Sequence, residues 1–441
     1  MEREIASVKG MHDQLPYFHN YFTFLKKVIR HLCRQRGIRR IETPILELAE
    51  LFEKGTGEST DIVEKEMYIF TDKGGEKVAL RPEFTPGICR AYLEHNMELW
   101  PQPVKLYSIG PVFRYGKPQK GRYRQFYQFD VEVIGESDPA LDAELIQLGF
   151  LFYQKAGISE NLVVGINSVG CPDCRKQYRE DLLNFYAGKE RNLCEDCQKR
   201  LKKNPLRLLD CKEEDCRILA EVAPKLTDSL CEECQAFHGK LKEYLKELKI
   251  SFEENPNLVR GLDYYTRTVF EYFDRNDTGR QNALGGGGRY DPLIEIYGGE
   301  PTPAVGFALG IERVVEKMME LRVKVPIKDT IHVFVVQLGD EAKRKALSLI
   351  TELRELGVKV VGSVGTGSIK SQLRQADKLE APYALILGQI EVRDNVVILR
   401  DLKAGNQKII AHDKAVKEIV ELIGKENLDT HNFEKEIERR K

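Results

Sequence analysis

The sequence predicts an α+β domain that is interrupted by a helical, cysteine-rich insertion and followed by a small α/β domain. Segments with apolar residues at every second position, the period of a half-buried strand, occur before residue 170 and again after residue 250. The stretch between them is charged and helical in pattern, and beyond Pro326 strands and helices alternate. The predicted parts are 1–169 and 250–325 for the interrupted domain, 170–249 for the insertion, 330–424 for the second domain and 425–441 for a charged tail.

The first domain begins with a helix and a strand. Apolar residues at helical spacing predict a helix over residues 16–36, which Gly37 ends, and Ile38–Leu48 follows as a strand. Two strands joined by a basic loop, and then a helix, are predicted next: Val104–Val112, Gln125–Ile134 and Leu141–Ala156. Strand pattern resumes near Val259, so the insertion is expected to separate two parts of one sheet.

The second domain alternates strands and helices and ends in a hairpin and a helix. Alternation of this kind predicts a compact α/β unit. The predicted elements are strand Ile331–Val336, helix Glu341–Leu356, strand Val358–Val361, helix Ser368–Leu379, strand Tyr383–Leu387, hairpin Val396–Leu402 with Gln407–Ala411, and helix Ala415–Ile423. The tail from Lys425 is densely charged and is expected to be a frayed or disordered end.

Composition and charge limit the classes of partner. Charged residues make up 31% of the 441 residues but the net charge is only -1, so a polyanion must be met by local basic patches and not by the field of the whole surface. The first residues lack the apolar region of a secretory signal, and no apolar run approaches the ~18 residues that span a membrane. The chain is therefore expected to be cytoplasmic, with no membrane partner.

The richest concentration of reactive side chains is the segment Arg260–Glu271. It combines two arginines, two acids and the tyrosine pair Tyr264 and Tyr265, a mixture that packing alone seldom requires. Its second half alternates polar and apolar residues, which aims alternate side chains of a strand into one cleft. Four glycines at Gly285–Gly288 follow, and their missing Cβ atoms allow a ligand or another strand to approach closely. These features predict a binding site.

A basic loop and the strand after it add to the prediction. Five cations without an acid between them indicate a phosphate or nucleic-acid contact, although a solvated loop is the alternative: Arg114, Lys117, Lys120, Arg122 and Arg124. In the next strand, Gln128, Asp130 and Glu132 fall on one face, and Tyr127 and Phe129 on the other. Because buried carboxylates need partners, that face favours a cationic ligand or a neutral imidazole.

Two further segments offer polar groups for a ligand. Arg81, Glu83 and Thr85 alternate around two prolines, which indicates either a site or an ordinary polar turn. A strand of small residues, Ala304–Gly310, leads into a helix that begins near Arg313. Its guanidinium suits phosphate oxygens, while a surface salt bridge is the alternative. No Walker phosphate-binding segment is present, so arginines and a sheet would have to hold any nucleotide.

The order of these segments resembles the histidyl-tRNA synthetases, a family of class II aminoacyl-tRNA synthetases. The resemblance extends from Gly10 to about Ile423 and is carried by Arg-Pro-Glu at residue 81, Phe113-Arg114, Arg260-Gly-Leu-Asp-Tyr-Tyr, Gly-Gly-Arg-Tyr-Asp at residue 287 and Gly-Ile-Glu-Arg at residue 310. It implies an antiparallel sheet flanked by helices in the catalytic domain, an α/β anticodon-binding domain from Ile331, and a homodimer formed through Leu15–Leu48.

The resemblance also implies a set of substrate-binding residues. The histidine pocket would consist of Glu83, Thr85, Gln128, Glu132, Tyr264, Tyr265 and Tyr290. In the family pattern the first three hold the α-ammonium group, Glu132 and Tyr265 grip the imidazole, and the other two tyrosines complete the pocket. A carboxylate and a phenol can each pair with one imidazole nitrogen, and leaving them unpaired with a wrong amino acid is costly.

The implied reaction joins L-histidine to ATP and then to tRNA(His). Catalytic roles fall to Arg260 near the α-phosphate, Arg114 between the histidine carboxylate and that phosphate, and Arg313 at the γ-phosphate, while Phe126 stacks on adenine and Mg²⁺ neutralises phosphate charge. Histidyl-adenylate and pyrophosphate form first, and histidine then moves to the 3′ end of the tRNA. Lys117, Gln119 and Arg122 are the implied contacts to its acceptor end. This loop reads Tyr115-Gly116-Lys117 where relatives often have His-Glu-Arg, so the details of that contact differ.

The insertion holds eight of the ten cysteines in four pairs. These are Cys171 with Cys174, Cys194 with Cys197, Cys211 with Cys216, and Cys231 with Cys234. The 19 residues between Cys174 and Cys194 fit the spacing of a four-thiolate zinc site, and reducing surroundings disfavour disulfides. One or two structural zinc ions, free thiols and disulfides remain open, as does the pairing. Cys33 and Cys89 are expected to be core thiols.

Two other functions fit parts of the sequence. A synthetase-like regulator that senses histidine or tRNA is one, but such paralogues tend to lose residues like Arg260 or the tyrosine pair, which this chain keeps. A zinc-dependent RNA-binding protein is the other, and it leaves Glu83 and Arg313 without a role. The ligase is the predicted function.

Overall fold

The structure is a computed structural model that describes residues 5–57, 60, 62–119, 121–211, 213–276, 283–326, 330–363, 365 and 367–429. Lys120 and the charged tail beyond Asp429 therefore lie outside the described residues. The chain divides into two compact units, Met1–Ile327 and Lys328–Lys441. Within the described residues, no helix combines the length and the apolar character needed to cross a membrane.

The first unit is built from long strands, and helices cover them. Its helices are α1 (Pro16–Gln35), α2 (Ala49–Thr56), α3 (Thr85–Glu94), α4 (Pro139–Lys155), α5 (Pro172–Tyr186), α6 (Glu195–Lys203), α7 (Glu214–Glu221), α8 (Glu232–Glu247), α9 (Leu293–Ile296) and α10 (Ile311–Glu320). Its strands are β1 (Arg39–Arg40), β2 (Leu46–Leu48), β3 (Tyr68–Thr71), β4 (Lys77–Leu80), β5 (Val104–Phe113), β6 (Gln125–Ile134), β7 (Leu162–Ser168), β8 (Phe252–Glu254), β9 (Thr266–Asp274), β10 (Ala283–Arg289) and β11 (Ala304–Gly310).

One large sheet organises this unit. Among the described residues its strands follow the order β1-β5-β6-β11-β10-β9-β7-β8. The central strands are antiparallel, and only the edge pairs β1 with β5 and β7 with β8 are parallel. The predicted antiparallel sheet flanked by helices is therefore confirmed, with a short parallel strand added at each edge. Strands from both sides of the insertion pair in this sheet, as expected.

The two faces of the sheet carry different cores. On β6, Phe129, Val131 and Val133 pack with residues of α1, α4 and α10, such as Leu25 and Phe152. Because side chains alternate along a strand, the even-numbered residues of β6 point to the opposite face. A second core lies there, built from α3 and the insertion. The active-site candidates of β6 therefore face the side on which the insertion packs.

The prediction of one strand over Ile38–Leu48 is wrong. Residues 39–40 form β1 of the large sheet, whereas 46–48 form β2, which pairs with β4 in a separate three-stranded sheet of order β2-β4-β3. Pro44 lies between them and lacks a backbone N–H, so it cannot continue a hydrogen-bonded ladder. The buried Arg81 fills this break, because its Nη1 donates to the carbonyl oxygen of Thr43 at 2.7 Å.

The second unit is a five-stranded sheet within the described residues, with the order β13-β12-β14-β15-β16. Helices cover both faces, with one apolar cluster on each. The predicted alternation, hairpin and closing helix are confirmed to within a few residues at each boundary. The elements are β12 (Val333–Gln337), α11 (Asp340–Glu355), β13 (Val360–Gly362), α12 (Ile369–Lys378), β14 (Tyr383–Leu387), α13 (Gln389–Arg393), β15 (Val396–Asp401), β16 (Gln407–Ala411) and α14 (Ala415–Ile423).

Candidate active site

A cleft of about 430 Å³ opens on the insertion side of the large sheet. Its floor is formed by β6, β10 and β11, and one wall is the loop that precedes β9. The structure brings all eleven residues implied for histidine, ATP and catalysis to this cleft: Glu83, Thr85, Arg114, Phe126, Gln128, Glu132, Arg260, Tyr264, Tyr265, Tyr290 and Arg313.

Glu132 is the central carboxylate of the cleft. It is 1% exposed, and its two oxygens accept hydrogen bonds from the hydroxyls of Thr85 and Tyr290. Burial raises the pKa of Glu132 to about 8, although both hydroxyl bonds oppose that shift. Strand β11 makes room for this carboxylate, because a Cβ at Gly306 would lie 1.6 Å from its Oε2. The small residues of β11 thus serve the pocket.

Glu83 forms a second buried carboxylate site beside it. Oε1 accepts from the Thr56 hydroxyl and Oε2 from the Tyr264 hydroxyl, each at 3.1 Å. Burial raises the pKa of Glu83, while the positive charge of Arg114 lowers it. Both oxygens are therefore held in fixed directions, which preorganises them for a donor from a ligand.

Further acceptors in the same region have no hydrogen-bond partner among the described residues. These are Oε1 of Gln128 and Oδ1 of Asp130, both buried. Burial and the neighbouring carboxylates raise the pKa of Asp130, while the positive charge of Arg81 lowers it. A pocket so rich in buried acceptors and carboxylates is suited to a ligand that carries positive charge and several N–H donors.

Three tyrosines close the pocket with their rings. The ring centroids of Tyr264 and Tyr265 are 4.7 Å apart, and those of Tyr264 and Tyr290 are 5.8 Å apart. Burial raises the pKa of Tyr265 to about 12, so its phenol remains a donor throughout the neutral range. The pocket therefore combines apolar ring faces with hydroxyl groups, a surface that suits an aromatic heterocycle.

Arginines occupy the rest of the cleft. Arg260 forms an ion pair with Glu271, which also lines the cleft. Arg114 donates through Nε to the Pro82 carbonyl oxygen at 2.9 Å, and its guanidinium lies 5.6 Å from the centroid of the Phe126 ring. Arg313 donates through Nε to the Gly121 carbonyl oxygen at 2.9 Å. Three guanidinium groups fixed around one cleft are suited to a polyphosphate.

The predicted tRNA-contact residues lie in the loop between β5 and β6, at the rim. Arg122 lines the cleft and pairs with Glu66, whereas Lys117 and Gln119 are exposed and do not line it. Lys120, also counted in the basic loop, is outside the described residues. The loop therefore presents polar groups just outside the pocket that holds the carboxylates.

Several residues that shape the cleft were missed from the sequence. Thr56 lies in no predicted motif, and Glu271 ends the segment Arg260–Glu271 without a predicted role. Gly306 shows no signal in sequence, because its importance comes from the side chain of a neighbouring strand. Arg289 of the glycine-rich segment is fully buried in an ion pair with Asp142 at 2.8 Å, so it supports the sheet and does not line the cleft.

Eight cysteines of the insertion form two compact groups. Cys171, Cys174, Cys231 and Cys234 make the outer cluster, and Cys194, Cys197, Cys211 and Cys216 make the inner cluster. Within each cluster the sulfur atoms all lie within 4.8 Å of one another, and all eight thiols are free. Four sulfurs about 2.3 Å from a zinc ion would be about 3.8 Å apart, so the observed spacing fits a four-thiolate zinc site.

The cysteine pairing differs from the one suggested by spacing. Cys171 and Cys174 join Cys231 and Cys234 from the far end of the insertion, and not the nearer pair at residues 194 and 197. Backbone donors point at the sulfurs: the amide of Cys231 lies 3.2 Å from Sγ of Cys174, and that of Cys194 lies 3.2 Å from Sγ of Cys216. Such N–H groups favour thiolates, the form that binds metal.

Comparisons with known proteins agree with this geometry. A family model described as histidyl-tRNA synthetase matches residues 10–314, and one described as anticodon binding domain matches residues 332–422. A histidine--tRNA ligase of Dehalococcoides mccartyi is 46% identical over 413 residues, covering 94% of this chain and 98% of the relative. A second, from Desulfitobacterium hafniense, is 46% identical over 91% of this chain and 95% of its own length.

A solved structure shows the same likeness in three dimensions. The apo histidyl-tRNA synthetase of S. aureus matches with a TM-score of 0.78 and 36% identity, covering 94% of this chain and 99% of that one. Family model, relatives and solved structure thus agree over both units. The chain belongs to the histidyl-tRNA synthetase family.

Proposed function

We propose that the chain is a histidine–tRNA ligase that activates L-histidine with ATP and transfers it to tRNA(His). One observation carries the proposal: a single cleft holds a group of buried carboxylates and tyrosines together with three fixed arginines. The first group suits a cationic amino acid with an imidazole, and the second suits the phosphates of ATP. The relatives that match nearly the whole chain are ligases, which disfavours the regulatory alternative.

The carboxylate side recognises histidine. Glu83, Thr85 and the free acceptor of Gln128 receive the α-ammonium group, and Glu132 and Tyr265 contact the imidazole nitrogens. Glu132 is already fixed by Thr85 and Tyr290, so it meets the substrate without reorganisation. An amino acid without ring N–H groups leaves these buried polar atoms unpaired, which disfavours its binding.

The arginine side binds MgATP and the reacting carboxylate. Phe126 offers a face for adenine, Arg313 receives the γ-phosphate, and Arg114 bridges the histidine carboxylate and the α-phosphate. Arg260 approaches the α-phosphate, and its pair with Glu271 fixes the direction of its guanidinium. Magnesium enters as part of the nucleotide substrate and neutralises phosphate charge.

The reaction follows from this placement. A carboxylate oxygen of histidine attacks the α-phosphorus of ATP, a new P–O bond forms, and the bond to the departing pyrophosphate breaks. A ribose hydroxyl at the 3′ end of tRNA then attacks the carbonyl carbon and releases AMP. Positioning and electrostatic stabilisation accelerate both steps, and no side-chain nucleophile is required. Cys33 and Cys89 are buried thiols, in agreement with a reaction that uses no cysteine nucleophile.

Binding of tRNA involves both units. The exposed Lys117 and Gln119, together with Arg122, are placed at the cleft rim to contact the acceptor end. The second unit matches the anticodon-binding family and is proposed to bind the anticodon. Both contacts depend on phosphate charge, so affinity should fall as salt concentration rises.

A homodimer is proposed from the first unit. Apolar side chains stand exposed along the small sheet and the start of α1, among them Leu15, Leu46, Leu48 and Phe70. Leu46, Leu48 and Phe70 share one face of the small sheet, and exposed apolar side chains grouped in this way are typical of a protein interface. Sedimentation of the wild type and of Leu46→Glu tests this, because the substitution should shift the dimer toward the monomer. The site of action is proposed to be the cytoplasm, where tRNA is charged.

Zinc is proposed to occupy both cysteine clusters. The sulfur spacing, the absence of disulfides among the described cysteines and the N–H groups directed at sulfur all suit it. Four thiolates would complete a closed coordination shell, which is typical of a structural site and not of a catalytic one. Such an ion supplies folding energy to a small helical module.

The decisive experiment is ATP–pyrophosphate exchange with each amino acid supplied singly. Histidine alone should support exchange in the wild type. Arg260→Ala should lower the rate about 100-fold or more, because removing one preorganised charge at a transition state costs roughly that much. Arg275→Ala is the matched control, since this arginine is exposed and pairs with Glu253 outside the cleft.

The outcomes separate the candidate functions. Histidine-only exchange that falls in Arg260→Ala but not in Arg275→Ala supports the ligase. If none of the amino acids supports exchange but histidine binding is measurable, the regulator becomes the favoured function. Charging of tRNA(His) with labelled histidine then tests the second step.

A further inference from the structure

The loop Arg260–Tyr265, which carries the arginine and two tyrosines of the pocket, forms neither helix nor strand. One backbone hydrogen bond ties the loop to the catalytic domain: the amide of Asp263 donates to the carbonyl oxygen of Thr56 at 3.2 Å. Among the contacts of the described residues, the side chains that donate hydrogen bonds to the backbone carbonyls of this loop are Arg175 and Arg207 of the insertion. The insertion therefore bears directly on the geometry of the pocket.

Residues beside the outer cysteine cluster hold the C-terminal half of this loop. Arg175, which directly follows Cys174, donates through Nη1 to the carbonyl oxygens of Asp263 at 3.1 Å and Tyr265 at 2.9 Å. Just beyond the loop, the amide of Arg267 donates to the carbonyl oxygen of Gly170 at 2.8 Å, next to Cys171. These bonds attach the loop to the chain that wraps the outer cluster.

Residues between two cysteines of the inner cluster hold the middle of the loop. Asn204 donates through Nδ2 to Oδ1 of Asp263 at 2.6 Å, and Arg207 donates to the Gly261 carbonyl oxygen at 3.2 Å. Both lie in the 13-residue stretch that Cys197 and Cys211 enclose. The chain then continues through Asp210, which lines the histidine cleft itself.

Open space separates these contacts. A second cleft of about 380 Å³ lies between the insertion and the loop, lined by Arg175, Asn204, Arg207, Arg260 and Asp263 among others. The hydrogen bonds from Arg175, Asn204 and Arg207 to the loop therefore lie around this second cleft. Their geometry depends on where the two cysteine clusters place these residues of the insertion. A shift in either cluster would therefore move the loop backbone that carries Arg260 and Tyr265.

We propose that the two metal-binding cysteine clusters clamp the loop Arg260–Tyr265, with Arg175, Asn204 and Arg207 as positioning residues for histidine recognition. This inference rests on the proposed function. The zinc ions are then required for the affinity of the pocket for histidine and not only for folding of the insertion. Metal loss, by chelation or by oxidation of the thiols, weakens histidine binding and displaces Arg260, whereas Arg114 and Arg313 of the ATP side lie outside the loop and keep their places.

The test compares Arg175→Met with Arg179→Met. Both arginines lie on α5 one turn apart, but Arg179 is exposed and has no bond to the loop among the described contacts. In pyrophosphate exchange, Arg175→Met should raise KM for histidine about tenfold, the effect of losing one or two hydrogen bonds. KM for ATP should stay within twofold, and zinc content by elemental analysis should remain two ions per chain.

Two further measurements guard against trivial loss of folding. Asn204→Ala removes a single bond at a partly exposed site and should raise KM for histidine in the same direction. Arg175→Lys retains a donor and should recover part of the loss. For the wild type, histidine should raise Tm of the zinc-loaded protein, chelation should remove that increase, and added zinc should restore it.

The outcomes distinguish this inference from the proposed function. If Arg175→Met and Arg179→Met have the same KM for histidine, or if the purified protein holds no metal, the clamp is refuted while the ligase stands. If neither the wild type nor the control shows histidine-dependent exchange, the proposed function itself fails. If Arg175→Met raises KM for histidine but not KM for ATP, and the protein retains its zinc, the clamp is supported.

Discussion

The pH dependence of histidine recognition should be governed by Glu132. Burial raises the pKa of this carboxyl to about 8 in the free protein. The charged form is the one that pairs with a donor on the substrate, so its fraction limits kcat/KM for histidine. That fraction is about 1% at pH 6 and about half at pH 8, which predicts a rise of roughly 50-fold between the two.

Glu132→Gln isolates this effect. A glutamine keeps the shape but loses the charge, and a charge-assisted hydrogen bond is worth about 1.5–3 kcal/mol, or roughly 10- to 100-fold in kcat/KM. The deficit should be largest near pH 8.5 and small near pH 6, where Glu132 of the wild type is already neutral. Because both proteins use the same substrate, the ratio of their kcat/KM values cancels the titration of histidine itself.

The assay is histidine-dependent pyrophosphate exchange from pH 6 to 9. Glu47→Gln is the control, since Glu47 is largely buried in an ion pair with Arg90 at 2.6 Å but lies outside the cleft. The ratio of kcat/KM for histidine between Glu47→Gln and the wild type should not change with pH. A ratio for Glu132→Gln that is flat across this range would refute the role given to the carboxylate.

The same shift predicts how stability depends on pH. A carboxyl whose pKa is raised in the folded state binds more protons folded than unfolded. Its contribution to the free energy of unfolding is present below about pH 4.3, the ordinary glutamate value, and is lost as pH rises through about 8. Tm of the ligand-free wild type should therefore fall over that window relative to Glu132→Gln, and histidine should reverse the fall.

Three further substitutions test the architecture. Gly306→Ala should lower the free energy of unfolding in urea by about 1–3 kcal/mol and abolish exchange, because the added Cβ collides with the carboxylate of Glu132. Gly239→Ala is the control and should be tolerated, since its Cβ would have nothing within 4 Å. Arg289→Met should cost about 3–5 kcal/mol of unfolding free energy by leaving Asp142 buried without its partner. Cys89→Ala should leave exchange rates within about twofold, since no thiol is required.

The strands that carry the site were predictable from sequence, because their side-chain periods are local. Residues 125–134 show the alternation that puts Gln128 and Glu132 on one face and Phe129 on the other, and the structure has that strand with the same bounds. The contacts that tune the pocket were not predictable. Thr56 reaches Glu83 from α2, and Gly306 matters only because β11 lies beside β6. Both depend on which elements become neighbours.

The cysteine pairing illustrates the same limit and also suggests how to overcome it. Distance along the chain favours Cys174 with Cys194, but the ends of the insertion are fixed by β7 and β8, which are adjacent in the sheet. Cys171 and Cys231 occupy the N-cap positions of α5 and α8. Because β7 and β8 are parallel neighbours and α8 leads into β8, α8 can run back along the sheet and bring Cys231 near the end of β7, where Cys171 lies. The remaining four cysteines, which lie between these two pairs along the chain, then group with one another. Nested grouping is thus consistent with the topology, and it is the arrangement that brings Arg175 to the backbone carbonyl oxygen of Asp263 and Asn204 to the Asp263 carboxylate in the histidine loop.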